Sequence, residues 1–546
     1  MQIASRNGLF DETKRIPHPS FAMKWFGFFL LAVASGFSGL AQGTNTSTID
    51  TNLPNAPDLI YEHTTNVVEG DARAPVASRE LSLEDCIQLA LQHNLEIQID
   101  RYGPASSLYA LRSVYGAYDP LASFSGQHQH TENGASFLGT NIIGGAKTDV
   151  DSFNASVNGL LPWGTTYRLT GTSAQTIQDL FGNVSDNAGA QASVEITQPL
   201  LKNFWIDSTR LAIRVDKNRL KYSQLQLKLQ IMQTITALEK AYYELIYDRE
   251  NVVVQQMAAA GTDRLVAESK KKLELGAMAE LDLAQAQAQA AQNQAAIITA
   301  ESQLGTQERV LKLYLTEDIT KWADVAPVPT ARLTSERQTF DRQNSWRKAL
   351  AQRPEYLQAK LDVERAGIQL KFDWNQMFPQ LNVFGTFGYN GSAPVYSGAL
   401  FDIQQQNLPF YIFGGQISFP LGNTGARNTY KFDKVNAQVL VLTVKQVERD
   451  ILISIDNDIG NLLSDYNSVQ ATHAQRLYYE QALDAEEKRL ANGKSTTYLV
   501  ILAQRDLTTG RGAEIQALDK YNKDLAQLSL DEGSTLDRLN IELDVK

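Results

Sequence analysis

Hydrophobic residues recur at alternating steps of four and three along two very long stretches of the chain. The first stretch, residues 208–275, has no proline and a single glycine, Gly261. Its hydrophobic positions form the seam of a packed helix: Ile231, Ile235, Leu238, Tyr242 and Leu245. A continuous helix of this length would extend roughly 100 Å. No globular core is that deep, so we predict that this helix packs against other long helices.

A second helix follows the first after a short break. Residues 281–315 are rich in alanine and glutamine, which allows close helix packing and solvates the other face. The two stretches predict an antiparallel hairpin with its tip at Leu275, Gly276 and Ala277. A similar pair follows later, where residues 426–491 carry a second seam: Val444, Val447, Ile451, Ile455 and Leu462. Its tip is predicted at Asn492, Gly493 and Lys494.

Outside the long helices the period of the pattern changes to two. Alternating segments of six to ten residues predict strands: 153–161, 167–172, 192–197, 381–389 and 410–419. The longer ones have the length of a tilted transmembrane β-strand, although a soluble sheet over one core would give the same alternation. An earlier helix is predicted from Ser82, its capping residue, towards Tyr118, with a kink or split at Gly103 and Pro104.

The order of these elements occurs twice along the chain. Residues at matching points of the two halves pair along the chain: Pro120 with Pro379, Pro199 with Pro420, Gly276 with Gly493, and Gln287 with Gln504. We therefore predict two structural repeats, residues 80–340 and 341–540, followed by a C-terminal tail, 541–546.

The first repeat is longer than the second between its strands. The extra length includes Pro162, Trp163 and Gly164, so each chain would supply four strands to a transmembrane barrel, or six if an additional pair joins it. In lipid every strand edge must be paired, and the smallest barrels have about eight strands. Several chains must then share one barrel and one tube of helices.

Composition and charge narrow the class of protein to which the chain can belong. The net charge is −11 without basic clusters, which argues against nucleic acid as a partner. Lys24 and the apolar run 25–33 predict a signal peptide over residues 1–41, followed by a flexible leader, 42–79. Cys86 is the single cysteine, so no intrachain disulfide can form. A buried, inert thiol is the expected state of its side chain.

No constellation of catalytic, cofactor-binding or metal-binding residues appears in the sequence. His128 and His130 alternate on a strand, but two ligands without a third do not complete a metal site. Polar residues facing a lumen or a loop are the simpler interpretation. Without a nucleophile–base pair or a phosphate-binding loop, an enzyme is not expected.

Several short motifs mark the ends of the strands. They are Pro379-Gln380-Leu381 before a strand, Thr197-Gln198-Pro199-Leu200-Leu201 and Ser418-Phe419-Pro420-Leu421 after one, and the two tips. Over residues 80–540 this order resembles the TolC family of outer-membrane efflux proteins. The resemblance implies a mixed α and β membrane protein of a Gram-negative outer membrane. Such a protein is a homotrimer whose twelve-stranded β-barrel continues into an antiparallel coiled-coil helical barrel in the periplasm.

The resemblance also implies function and partners. Residues 316–345 and the C-terminal tail would form a belt around the middle of the tube. The tips would dock a periplasmic adaptor (membrane fusion protein) joined to an inner-membrane pump of RND, ABC or MFS type. The channel would conduct small molecules or proteins passively, as in tripartite efflux or type I secretion. A trimeric coiled-coil adhesin and a soluble periplasmic scaffold are the alternatives.

The entrance departs from the family's pattern. Leu499 and Leu502 stand where family members carry an acidic ring, and Ser495 stands at the position of a latching arginine. Asp282 matches a family aspartate, although an acid near a helix N-terminus is also favourable by itself. Arg505 and Asp506 are a solvated pair or a link between neighbouring helices. We predict a periplasmic gate closed by apolar side chains.

Overall fold

The computed structural model describes residues 77–541, apart from 135, 139–140, 144, 181–182 and 277. The predicted signal peptide, most of the predicted leader, Ala277 and residues 542–546 lie outside the described residues. Ala77–Leu81 forms strand β1, so the last residues assigned to the leader are part of the fold. Of the described helices, none combines the length and the apolar character needed to cross a membrane.

Ten helices are found in the described part of the chain. They are α1 (Leu83–His93), α2 (Leu95–Tyr115), α3 (Ser208–Glu274), α4 (Glu280–Leu315), α5 (Arg342–Gln352), α6 (Pro354–Gln376), α7 (Tyr396–Gln405), α8 (Thr424–Ala491), α9 (Thr497–Asp531) and α10 (Thr535–Arg538). The two predicted long hairpins are thereby confirmed as α3–α4 and α8–α9.

The predicted break in the first helix is misplaced. Ser82 does cap α1, and Ser82 and Asp85 form a reciprocal capping box. The chain, however, breaks at Asn94, whose side chain accepts a hydrogen bond from the N–H of Ile97 and starts α2. Pro104 is buried inside α2. Its missing N–H costs one helical hydrogen bond, but packing of α2 on α3 keeps the helix continuous to Tyr115.

Capping residues and glycines set the ends of the long helices. Asp207 caps α3 by accepting a hydrogen bond from the N–H of Arg210, and lysines occupy the last turn, where cations favour the helix dipole. After the last turns, Gly276 and Gly493 have φ of 69° and 67°. This left-handed conformation suits glycine and closes a helix.

A single antiparallel sheet holds six strands in the order β10-β9-β7-β6-β5-β2. They are β2 (Leu121–Asn133), β5 (Ala146–Leu160), β6 (Thr166–Leu180), β7 (Asn183–Pro199), β9 (Gln380–Ala393) and β10 (Leu408–Ser418). A short pair, β3 (Ser136–Leu138) and β4 (Asn141–Ile143), lies between β2 and β5.

The extra length of the first repeat forms a hairpin inside this sheet. Strands β5 and β6 are joined by residues 161–165, in which the N–H of Leu161 bonds to the carbonyl of Thr165 and Gly164 has φ of 90°. The two strands are hydrogen-bonded to each other and to β2 and β7 along their length. The additional strand pair is thus continuous with the rest of the sheet.

A two-stranded sheet and a C-terminal segment pack against the middle of α3. Strand β1 pairs in parallel with β8 (Val325–Pro329), and Tyr242 ties it to α3 by donating to the carbonyl of Leu81 over 3.0 Å. Near the C-terminus, Arg538 binds the fully buried Glu239 of α3, with Nη2 2.7 Å and 2.5 Å from the two carboxylate oxygens. Cys86 lies in the same core, and burial raises the pKa of its thiol to about 12.

Candidate functional site

The sheet has one apolar face, and that face is exposed. Residues at alternate positions of all strands share it through the register of the pairs. Its large exposed side chains are Phe124, Phe153, Val194, Ile196, Val383, Phe387, Tyr411, Phe413 and Ile417. Phe413 is 80% exposed and Tyr411 is 74% exposed. A water-soluble sheet would bury such a face, so these residues mark a surface built for an apolar environment.

The opposite face of the same strands is predominantly polar. Cross-strand hydrogen bonding occurs there, as between Ser123 Oγ and Ser156 Oγ at 2.7 Å. Its other members include Gln127, Asn154, Arg168, Thr170, Gln191, Ser193, Glu195, Asn382 and Thr386. The combination of one apolar and one predominantly polar face over β2, β5, β6, β7 and β9 is that of a barrel wall between lipid and a water-filled lumen. The edge strand β10 differs, because its second face carries Phe410 and Ile412.

Aromatic side chains gather where the sheet meets the helices. Trp163 lies in the β5–β6 turn, Trp205 follows β7, and Trp374 precedes β9; they are 58%, 72% and 50% exposed. Trp205 stacks edge-on against Phe204, and Trp374 against Phe378. Tryptophan favours membrane–water interfaces because its ring is apolar and its N–H is polar. These side chains form an aromatic girdle at the helical end of the apolar face.

Charged side chains begin at the other end of that face. His128 Nδ1 lies 2.7 Å from Asp151 Oδ1, and His130 Nδ1 lies 2.5 Å from Asp149 Oδ1. One step further, Lys147 Nζ lies 2.8 Å from Glu132 Oε1. The two histidines therefore pair across β2 and β5 with carboxylates, and we call these three contacts the charged ladder. The histidines were expected to face a lumen or a loop, but they lie on strand β2 and on the same face as Phe124, opposite the polar face.

The two hairpin tips lie at the same end of the helices. A cluster of Leu265, Ala286, Val500 and Ile501 joins α3, α4 and α9 close to both tips. Leu275 is 82% exposed, and Gly276, Asn492, Gly493 and Lys494 are exposed as well. No described residue covers them, so this end exposes two neighbouring loops.

The predicted gate residues lie just inside these tips. Leu499 is 40% exposed and Leu502 is half-buried, and neither belongs to the cluster that contains Val500 and Ile501. Asp282 lies in the first turn of α4, where its charge favours the helix by itself. In the described part of the chain no ion pair joins Arg505 to Asp506.

A polar groove of about 290 Å³ separates the hairpins beside the gate residues. Arg505 lines it together with Gln255, Thr262, Gln289, Asn293 and Gln504. Asn293 Nδ2 donates to Thr262 Oγ1 over 2.9 Å and links α4 to α3. No single stretch of sequence predicts this groove, because it forms only where three helices meet. The alanine and glutamine bias of α4 was the available signal.

Comparisons with known proteins assign this architecture to a class. The family model described as "Outer membrane efflux protein" matches residues 346–531. A search of curated protein sequences finds no match. Among solved structures, the outer-membrane channel OprN aligns with a TM-score of 0.62 at 13% identity, covering 83% of this chain and 90% of that one.

Two further channels have the same fold. The Campylobacter jejuni CmeC outer membrane channel aligns with a TM-score of 0.61 at 13% identity, covering 83% of this chain and 86% of its own. VceC, an outer membrane protein of Vibrio cholerae, aligns with a TM-score of 0.60 at 15% identity, covering 83% and 96%. Identities this low establish the fold. Together with the family model, which matches residues 346–531, they agree with the predicted resemblance to outer-membrane efflux proteins.

Proposed function

We propose that this protein is the outer-membrane exit duct of a tripartite efflux or type I secretion system, assembled from three copies of the chain. The observation that carries the proposal is the exposed apolar face of the sheet, bounded by the aromatic girdle and continuous with helices roughly 100 Å long. Such a molecule joins a membrane-embedded wall to a long periplasmic tube.

Closure of the wall requires other copies of the chain. Strands β2 and β10 are the two edges of the six-stranded sheet, and unpaired edges are not tolerated in lipid. Six strands are too few for a transmembrane barrel. With the trimer that the family resemblance implies, three copies supply eighteen strands, rather than the family's twelve. The edge β10 of one copy would pair with β2 of the next.

The repeated order of elements supports an internal duplication. The β9–β10 pair leads into the hairpin α8–α9, as β2 to β7 lead into α3–α4. Three copies of two hairpins would give a tube of twelve helices. The polar face of the sheet and the interior of this tube would then form one continuous water-filled path for cargo.

The tips are the proposed entrance. Leu275, Gly276, Asn492, Gly493 and Lys494, with Ala277, would dock the periplasmic adaptor, which in turn contacts an inner-membrane pump. Leu499 and Leu502 would constrict the lumen just above the tips. Asp282, Arg505 and Asp506 would surround this constriction.

Fractionation tests the proposal directly. The protein should be found in the outer-membrane fraction as a trimer that dissociates on heating in SDS. Release of the protein by osmotic shock would refute the membrane location and favour a periplasmic scaffold. A surface adhesin would be recognised by protease sensitivity of α8 in intact cells, because the proposed tube lies in the periplasm and is protected there.

Site-specific photocrosslinking tests the docking surface. A photoreactive amino acid at position 275 or 492 should capture an adaptor protein in cells. The same residue at position 463, which is half exposed on α8 and distant from both tips, serves as the matched control. Equal capture from all three positions would remove the support for docking at the tips.

A further inference from the structure

Helix α7 covers part of the apolar face of the sheet. It lies in the connection between β9 and β10 and packs on β9 and β7 through Ala399, which is fully buried against Ala188 and Ala190. Close approach depends on Gly391, where an added Cβ would lie 1.9 Å from the carbonyl oxygen of Ala399. The helix is therefore docked on the sheet by small residues.

The position of α7 coincides with the outer end of the apolar face. The exposed apolar rows begin with Ile417 and its partner Leu381, and Gly391 lies ten residues further along β9. At about 3.3 Å per residue and a tilt of about 40°, ten residues rise roughly 25 Å. This is the height of the apolar band of an outer-membrane barrel.

The charged ladder fixes the same boundary independently. In register, Gly391 pairs with Ala190, and the row continues to Phe153 on β5. The next residue of β5 on the same face is Asp151, the first acid of the charged ladder. Tyr396 of α7 bridges the two rows: its ring packs edge-on against Phe153, and its hydroxyl donates to the carbonyl of Asp151 over 2.7 Å.

The outward side of α7 suits an interface rather than bulk water. It carries Phe401, which is 56% exposed, with Ser397, Gln404 and Gln405. Asp402 is the one charged residue of the helix, and its carboxylate is turned back to accept the N–H of Ser392 over 3.3 Å. A neighbouring copy is not the occupant of this side, because α7 overlies inner strands of its own sheet and leaves the edges β2 and β10 uncovered.

We propose that α7 is an interfacial helix whose exposed side contacts the outer leaflet of the membrane, at the boundary between acyl chains and headgroups. This inference rests on the proposed function, because it requires the apolar face to be in lipid. The helix covers the small residues Gly391, Ala188 and Ala190 and presents Phe401 beside polar side chains at this depth, and it would set how far the barrel inserts.

Nitroxide labels on single cysteines test the inference in the trimer reconstituted into liposomes. Cys86 is buried, so unsubstituted protein serves as the labelling control. Labels are placed at Phe401→Cys on α7, at Phe413→Cys on the apolar face, and at Asn133→Cys beyond the charged ladder. Power saturation with oxygen and with a water-soluble nickel chelate reports whether each label lies in lipid or in water.

We expect positions 401 and 413 to favour oxygen and position 133 to favour the chelate. If 413 favours oxygen while 401 favours the chelate, the inference about α7 is overturned and the membrane location stands. If 401 and 413 both favour the chelate, the proposed function itself fails.

A second variant tests whether docking positions the helix. Gly391→Val should displace α7, so that the label at 401 becomes more mobile and gains access to the chelate. Gly385→Val is the matched control, because Gly385 lies on the same face of the same strand with nothing within 4 Å of an added Cβ. Both variants are first checked for heat-modifiable trimers. An unchanged label in a trimeric Gly391→Val variant would overturn the docked position.

Discussion

Removal of the β5–β6 hairpin should shrink the barrel by a third of its strands. The strand register allows this deletion without shifting the pairing of the remaining strands. Asn133 pairs with Ala146, Ala146 with Leu180, and Leu180 with Asn183. Deleting residues 137–180 therefore brings β2 beside β7 with the same rows aligned. The two strands are antiparallel, and residues 134–136 and 181–182 would connect them.

The expected change in size follows from strand spacing. With strands about 4.8 Å apart and tilted by about 40°, each occupies about 6.3 Å of circumference. Eighteen strands then give a backbone diameter of ~36 Å, and twelve give ~24 Å. The cross-section of the wall falls by a factor of about 2.2, while the helical tube keeps its twelve helices.

Cryo-electron microscopy of both trimers in lipid nanodiscs measures the two diameters. Residues 137–180 include no part of the hairpins α3–α4 and α8–α9, so the tube provides an internal standard in each reconstruction. A wild-type barrel of twelve strands, with β5 and β6 outside the wall, would refute the reasoning. A deletion variant that keeps the wild-type diameter would refute it as well.

Three further predictions concern the periplasmic part. Arg538→Ala leaves the carboxylate of Glu239 buried without its partner and should cost about 3–5 kcal/mol of stability. Thermal unfolding measures this loss, with Arg538→Lys as the charge-preserving control. An unchanged melting temperature of Arg538→Ala would contradict the role of this pair. Burial and the hydrogen bond with Asp531 raise the pKa of Asp458 to about 8. Its contribution to stability is therefore present at low pH and is lost as the pH rises from about 4 to about 8. Relative to the wild type, Asp458→Asn should gain stability across that window in pH-dependent melts, and a constant difference would count against the shifted carboxyl. The double variant Leu499→Ser, Leu502→Ser should raise single-channel conductance in planar bilayers, whereas Tyr498→Ser on the same turn should not. If Tyr498→Ser raises the conductance as much as the double variant does, an apolar gate at these leucines is contradicted.

The break in the first helix was predicted at the wrong residue because two local signals compete there. Gly103 and Pro104 predicted an interruption of the first helix, but the break lies at Asn94. Asparagine caps a helix by its side chain, but this signal is weaker in the sequence than that of proline. Pro104 remains within α2 because packing on α3 stabilises the helix despite the missing hydrogen bond.

The number of strands could not be read from the sequence alone. The turn Pro162-Trp163-Gly164 and the alternation on both sides of it predicted an extra strand pair. Alternation says which residues share a face, but it does not say which strand is the neighbour. The register of β5 against β2 and of β6 against β7 decided that the pair is part of one sheet.

The sequence by itself determined the long helices, their tips and the two faces of the strands. These features depend on hydrogen bonds between residues four apart, on left-handed glycines and on a period of two, all of which are local. Only the tertiary structure decided the six-stranded order, the docking of α7, the polar groove between hairpins and the pairing of Glu239 with Arg538. Those features join residues far apart in the chain, and their partners are chosen by packing and by the desolvation of buried charge, which no short stretch of sequence encodes.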